Sequence, residues 1–245
     1  RVVVDITRMP GWGFIEERCG WIHIGCQVSH CQVAQSPLIR SRARLLGEAC
    51  ASVGGPQIRH VATLVGNVTN ALPAADGAVA LTALGAEAEI ATSEGRTWHP
   101  ILELYGGVAQ CTVDSHCAMV TQLRFPALSE QEVGAFARLA RRKALTLPTL
   151  NAAAVVGCRA GRIVNARIAL GPVATTPLVA TEAADFLIGR KGNREDLEEA
   201  SRLASLAAGP RASMLRGSAE YRRAMVAVLV RRTLVQSLQQ LVSAE

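Results

Sequence analysis

Between Gln57 and Asp76 the chain reads Gln-Ile-Arg-His-Val-Ala-Thr-Leu-Val-Gly-Asn-Val-Thr-Asn-Ala-Leu-Pro-Ala-Ala-Asp. A Thr, a Gly-Asn pair, a Pro and an Asp are set into a mostly apolar run ahead of a helix-forming segment, Gly77 to Leu84. Small residues let backbone N–H groups approach an anion. Asn67 can donate and accept, and Asp76 accepts from a ribose hydroxyl or from a neighbouring N–H. That set of groups at the start of a helix suits a diphosphate-bearing cofactor.

Other reactive side chains offer less. The seven cysteines form no Cys-x-x-Cys pair, which fits free thiols in a reducing compartment. Cys19, His23, Cys26, His30 and Cys31 raise the question of a metal. However, Trp21 to Cys26 alternates as a strand does, placing His23 and Cys26 on opposite faces. A core strand followed by a helix capped at Ser29 is the better reading. His30, His60, His99 and His116 show no partner spacing for a triad and receive no catalytic role.

The elements that must position this run belong to an ordered globular protein: 49% of residues are hydrophobic and 19% charged. Aromatics are only 4%, so Ala, Val, Leu and Ile must build the core. The longest wholly apolar run, Ala224 to Val230, is far short of a membrane span. No export leader precedes the first strand, and a cytoplasmic location is expected. A net charge of +6 invites a nucleic-acid role, but stacking aromatics are almost absent and no nucleic-acid motif is present. A solvated or subunit-facing basic surface is expected instead.

Strands are expected at Val2 to Ile6, Trp21 to Gly25, Ala86 to Ala91 and Met119 to Phe125. Helices are expected after Ser29, over Arg40 to Val53 and over Gly77 to Leu84, with a glycine–asparagine loop between the last two. Ser129 to Glu132 is a polar connector, placing a domain boundary between 1–128 and 129–245. Beyond it, Gly134 to Leu139, Thr149 to Gly157 and Arg162 to Leu170 predict a three-stranded antiparallel sheet. Helices follow over Thr181 to Ile188, Arg194 to Ala207 and Ser218 to Leu241, the last with an apolar stripe that reads as core or subunit interface.

The run from Gln57 to Asp76 also resembles the second flavin-binding segment of the FAD (medium) subunits of the molybdenum hydroxylases, the xanthine dehydrogenase and carbon monoxide dehydrogenase family. There Gln-Ile-Arg is followed by Thr-x-Gly-Gly-Asn and Pro-x-x-Asp. Three more stretches are similar in the same order: Gly20 to His30, Phe136 to Ala144, and Gly217 to Arg222 with Arg231-Arg232. The resemblance implies an α+β fold: a FAD-binding domain of the vanillyl-alcohol-oxidase/PCMH-like type, represented by its second subdomain, then a C-terminal molybdenum-hydroxylase flavoprotein domain of three strands plus helices. It implies cofactor contacts at Thr63, Leu64, Val65, Gly66, Asn67 and Asp76, with Val53 and Val120 matching residues that pack near the flavin. Arg142 and Lys143 read more simply as a solvated charge run. Two departures stand out. The family's first, glycine-rich flavin loop has no counterpart, which with a start at Arg points to a truncated N-terminus. Val65 replaces the first Gly of the pair, which would strain the backbone if φ were positive there.

The function implied is electron relay, from [2Fe-2S] clusters on a small subunit through FAD on this chain to an external acceptor. Substrate is oxidised at a molybdopterin cofactor on a separate large subunit. A dimer of heterotrimers is the assembly the resemblance implies. The alternatives are a flavin-free docking subunit of the same complex and a free-standing flavin oxidoreductase. Substrate and acceptor are not written in these residues.

Overall fold

A computed structural model describes residues 3–242. The first half opens on a hairpin, β1 (Ile15–Arg18) and β2 (Trp21–Gly25), followed by six helices: α1 (His30–Gln35), α2 (Pro37–Arg42), α3 (Arg44–Ala51), α4 (Pro56–Val61), α5 (Leu64–Thr69) and α6 (Asp76–Ala83). Then come β3 (Glu87–Thr92), β4 (Gly95–Pro100), a 3-10 turn at Ile101–Leu104, a ribbon of β5 (Tyr105–Gly107) and β6 (Gln110–Cys111), and β7 (Ala118–Pro126). The second half holds β8 (Glu132–Leu139), β9 (Leu150–Arg159), β10 (Arg162–Gly171), β11 (Leu178–Val179), α7 (Thr181–Leu187), α8 (Arg194–Ala207) and α9 (Ala219–Val242).

Two antiparallel sheets organise these elements, one in the order β1-β2-β7-β3-β4 and one in the order β11-β10-β9-β8. The second sheet is covered on both faces, and β9 shows why. Its sequence Leu-Asn-Ala-Ala-Ala-Val-Val-Gly is buried throughout. Alternate residues divide between two cores: Ala153 and Val155 join the first, while Ala152, Ala154 and Val156 join the second. Helix α6 packs against one face and α9 against the other. Small side chains are what let α6, buried at all eight positions, lie this close.

Four expectations need correction. Residues 3–6 form no strand: Val3 and Val4 are exposed, and Asp5 turns the chain by accepting from Thr7 N at 2.9 Å. Arg1 and Val2 lie outside the described residues. The helix expected over Arg40 to Val53 breaks at Ala43 (φ −159°, ψ 51°), which leaves the Arg42 carbonyl to accept from Leu128 N at 3.2 Å. The second sheet has a fourth, two-residue edge strand, β11. Most relevant here, the glycine–asparagine stretch is not a loop but the helix α5. Thr63 caps it, its hydroxyl accepting from Gly66 N at 3.0 Å, and Leu64, Val65 and Val68 bury its inner face. Strands β1 and β4 escape the sequence reading because both are short sheet-edge strands rich in polar residues.

Candidate functional site

The segment that should meet the cofactor is fixed where α5 begins. Ser29 and Thr63 pair through an isolated β-bridge, which holds the start of α5 against the start of α1. Leu64 N donates to Val28 O at 3.0 Å and Asn67 N to Thr63 O at 3.0 Å. Thus three amides that open α5, those of Leu64, Gly66 and Asn67, already have partners within the protein. Gly66 is exposed, and a Cβ there would lie 3.0 Å from Thr63 Oγ1. Its glycine therefore serves the cap rather than an unusual φ.

Val65 carries no backbone strain. It sits in right-handed helix, and among the described residues the non-glycine positions with positive φ are Cys19, Ala71, Ala109, Leu145 and Ala160. Its side chain is buried in the first core with Leu64 and with Val120 of β7. Val53 lies half-buried after α3, and its carbonyl accepts from Arg59 Nη1 of α4 at 3.0 Å. The fold thus brings Thr63 to Asn67 onto one short helix that packs on both α6 and β7. Val53 lies in the turn between α3 and α4.

Asp76 has a more enclosed place than a ribose contact would need. It is the first residue of α6 and 5% exposed. One carboxylate oxygen accepts from Arg138 Nε at 3.1 Å and the other from Asn151 Nδ2 at 2.8 Å. Arg138 and Asn151 face each other across β8 and β9, so a cross-strand pair of the second sheet grips the first half. Burial pushes the Asp76 carboxyl above its ordinary range, while the Arg138 charge and the Asn151 amide pull it back. Nothing in the sequence pointed to Arg138 or Asn151, 62 and 75 residues away, because their register was not readable.

Behind α5, polar atoms are packed tightly within the core. A Cβ on Gly77 would fall 2.7 Å from Leu64 Cδ1, 2.9 Å from Asn67 Oδ1 and 3.6 Å from His30 Cε1. Both Asn67 Oδ1 and His30 Nδ1 are buried without a hydrogen-bond partner in the protein. Burial, aided by the Arg59 charge, lowers the His30 pKa to about 4, so its ring is neutral near pH 7. His30 thus has a defined neighbourhood that its spacing in the sequence does not reveal.

The remaining cysteine and histidine residues disperse. His23 Nδ1 lies 3.2 Å from Gln122 Oε1 and its ring meets Trp98 edge-on. Cys31 Sγ lies 3.6 Å from His60 Nε2. Among the described residues no three His, Cys, Asp or Glu side chains converge on a metal position. Arg142 hydrogen-bonds the Leu145 carbonyl on the surface, and Lys143 is exposed beside it.

These residues fit one wall of a dinucleotide site. The exposed edge of Gly66, the half-buried Asn67 and the rigid cap at Thr63 form a surface without bulky side chains, and buried polar atoms remain unpartnered behind it.

Comparison with known proteins identifies the family. Residues 1–128 match the family model described as the FAD binding domain in molybdopterin dehydrogenase, and residues 135–237 match the CO dehydrogenase flavoprotein C-terminal domain. The carbon monoxide dehydrogenase medium chain of Afipia carboxidovorans is 32% identical, over 94% of this chain and 79% of that one. A putative xanthine dehydrogenase FAD-binding subunit of Escherichia coli is 27% identical, over 97% and 82%. Among solved structures, carbon monoxide dehydrogenase from Hydrogenophaga pseudoflava superposes with a TM-score of 0.91 at 28% identity, covering 96% of this chain and 81% of the other. The chain therefore belongs to the FAD-binding medium subunits of the molybdenum hydroxylases, oxidoreductase subunits whose substrate chemistry takes place on another chain.

Proposed function

We propose that this chain is an electron relay, taking electrons from [2Fe-2S] clusters of a partner subunit into FAD and passing them to an external acceptor. Substrate would be oxidised at a molybdopterin centre on a third subunit. The observation that carries the reading is α5 itself: a capped, rigid, sparsely covered helix edge at Gly66-Asn67, inside the segment that matches the FAD-binding family. Bound FAD supplies the redox chemistry. The residues of this chain need only hold and orient it.

The roles divide as follows. Thr63 fixes the first turn of α5, so that Gly66 and Asn67 present a constant surface. Leu64, Val65 and Val120 brace that helix from within the core, and Val53 borders the site through the α3–α4 turn. Asp76 acts one step back, anchoring the turn that enters α6. The division into a FAD-binding domain at 1–128 and a C-terminal domain at 129–245 is supported by the turn at Ser129–Glu132, where the Glu132 carboxylate accepts from Ser129 N at 3.2 Å.

One observation favours the alternative, a flavin-free docking subunit. The amides of Leu64, Gly66 and Asn67 have internal acceptors and are not free to receive a diphosphate. A visible spectrum of the protein purified with its partners, with acid release and identification of flavin, decides between the two. Released FAD near one per chain supports the relay. Partners bound without flavin would establish the docking role.

A further inference from the structure

Backbone hydrogen bonds tie the start of α1 to the cap of α5. His30 N donates to Ala62 O at 3.0 Å and Leu64 N to Val28 O at 3.0 Å, on either side of the Ser29–Thr63 bridge. His30, the first residue of α1, is thereby set beside the first turn of α5, and only 1% of it is exposed. Its ring reaches Gly77 of α6, where a Cβ would lie 3.6 Å from His30 Cε1 and 2.9 Å from Asn67 Oδ1. Three helices thus bring one histidine and one asparagine to a single point, and glycine at 77 keeps that point clear.

The hydrogen bonding at that point is incomplete. His30 Nδ1 and Asn67 Oδ1 are both buried without a partner. Enclosing a polar atom unpaired lowers stability, and an apolar residue at position 30 would avoid the loss. The two atoms are complementary. Asn67 Oδ1 can only accept, and a neutral imidazole offers a donor when its proton is on Nδ1. Burial keeps the ring neutral near pH 7, so this donor brings no charge into the core. Asn67 is half-buried with Oδ1 as the enclosed atom of its amide, which leaves Nδ2 toward the outer edge of α5, where Gly66 is exposed.

We propose that His30 is a positioning residue for the flavin: its Nδ1–H takes Asn67 Oδ1 as acceptor across Gly77, and so holds Asn67 Nδ2 outward to donate to an oxygen of FAD. The inference deepens the reading of Gly66-Asn67 as the flavin wall and rests on it. Without a donor at position 30 the Asn67 amide is free to turn over. Its oxygen, which repels the oxygens of FAD, then faces the cofactor as readily as its nitrogen does. His30 touches no cofactor atom; it acts through Asn67, by removing beforehand a freedom that binding must otherwise remove.

The test uses the complex purified with its natural partners, depleted of flavin and titrated with FAD. His30→Leu should raise the FAD dissociation constant about tenfold, as the loss of one hydrogen bond does. The melting temperature of the flavin-free complex should stay level or rise, because a buried unpaired atom is gone. His30→Asn, whose Nδ2 can take the place of Nδ1 as donor, should restore most of the affinity. Asn67→Ala should weaken FAD binding as well, and adding His30→Leu to it should cost nothing further. Should His30→Leu fail to fold, His30→Met serves in its place. Wild-type affinity in the folded variant overturns the proposal. So do additive losses in the double variant, or a flavin-free complex that melts lower with no rescue by His30→Asn, which would mark His30 as structural only. Wild-type FAD binding by Asn67→Ala would instead defeat the reading of the wall itself.

Discussion

Arg138 Nε lies 3.1 Å from Asp76 Oδ2, and this pair joins the entry to α6 to the second sheet. The Asp76 side chain is 6% exposed and that of Arg138 10%. Replacing Asp76 by Asn would leave a buried guanidinium without its counter-charge. A loss of about 3–5 kcal/mol is expected, from the cost of breaking one side of a buried ion pair. Urea unfolding of Asp76→Asn, Arg138→Met and the double variant measures it. If each single variant costs less than about 1 kcal/mol, the pair is hydrated and the clamp is unimportant.

His30 should give the stability curve a definite slope in acid. Its folded pKa of about 4 lies below the ordinary value of 6.5, so the unfolded chain binds the proton first as pH falls. Stability is then fully present above pH 6.5 and declines toward pH 4, by an amount on the order of 3 kcal/mol. Comparing melting temperatures of wild type and His30→Gln from pH 4 to 7 isolates the histidine. Parallel curves would show that folding leaves the His30 pKa unshifted.

Gly77→Ala should separate flavin retention from folding. The added methyl would press on Leu64 Cδ1 and on Asn67 Oδ1, and α5 must yield. Overpacking of this kind costs about 1–3 kcal/mol, which a core of this size tolerates. Displacing Asn67 should reduce the FAD released per chain at a temperature where circular dichroism still reports native structure. Full occupancy in a folded Gly77→Ala protein would exclude Asn67 from the site.

Val65→Gly restores the residue that the family carries at this place, yet it should not improve flavin binding. The backbone there is already helical, so glycine relieves nothing. It removes a buried side chain worth about 1.5–3 kcal/mol and loosens α5. Lower stability at equal or lower flavin content is expected, read by denaturant unfolding beside the released-flavin assay. A rise in flavin content would mean that Val65 obstructs the site.

Much of this architecture could be read from local pattern. The helix expected over Arg194 to Ala207 is found with those bounds, because Asn193 caps it in a reciprocal capping box and its apolar positions recur at helical spacing. Of the three long strands of the second sheet, β9 carries the continuous apolar run, Ala152 to Val156, that a doubly covered strand requires. Thr63, Gly66 and Asn67 were recognisable by type and spacing, but their conformation was not. Glycine and asparagine favour turns locally, whereas the buried Leu64, Val65 and Val68 draw the same residues into a helix.

Residue types and their order determined the family pattern and the long elements of the second half. Tertiary structure alone decided what surrounds each candidate residue. Asp76 meets Arg138 and Asn151 only because β8 and β9 are in a particular register beside α6. His30 and Asn67 meet over Gly77 only when α1, α5 and α6 pack together. Short-range preference acts along the chain and is visible in it. Pairing between distant segments depends on register and burial, which are properties of the folded whole.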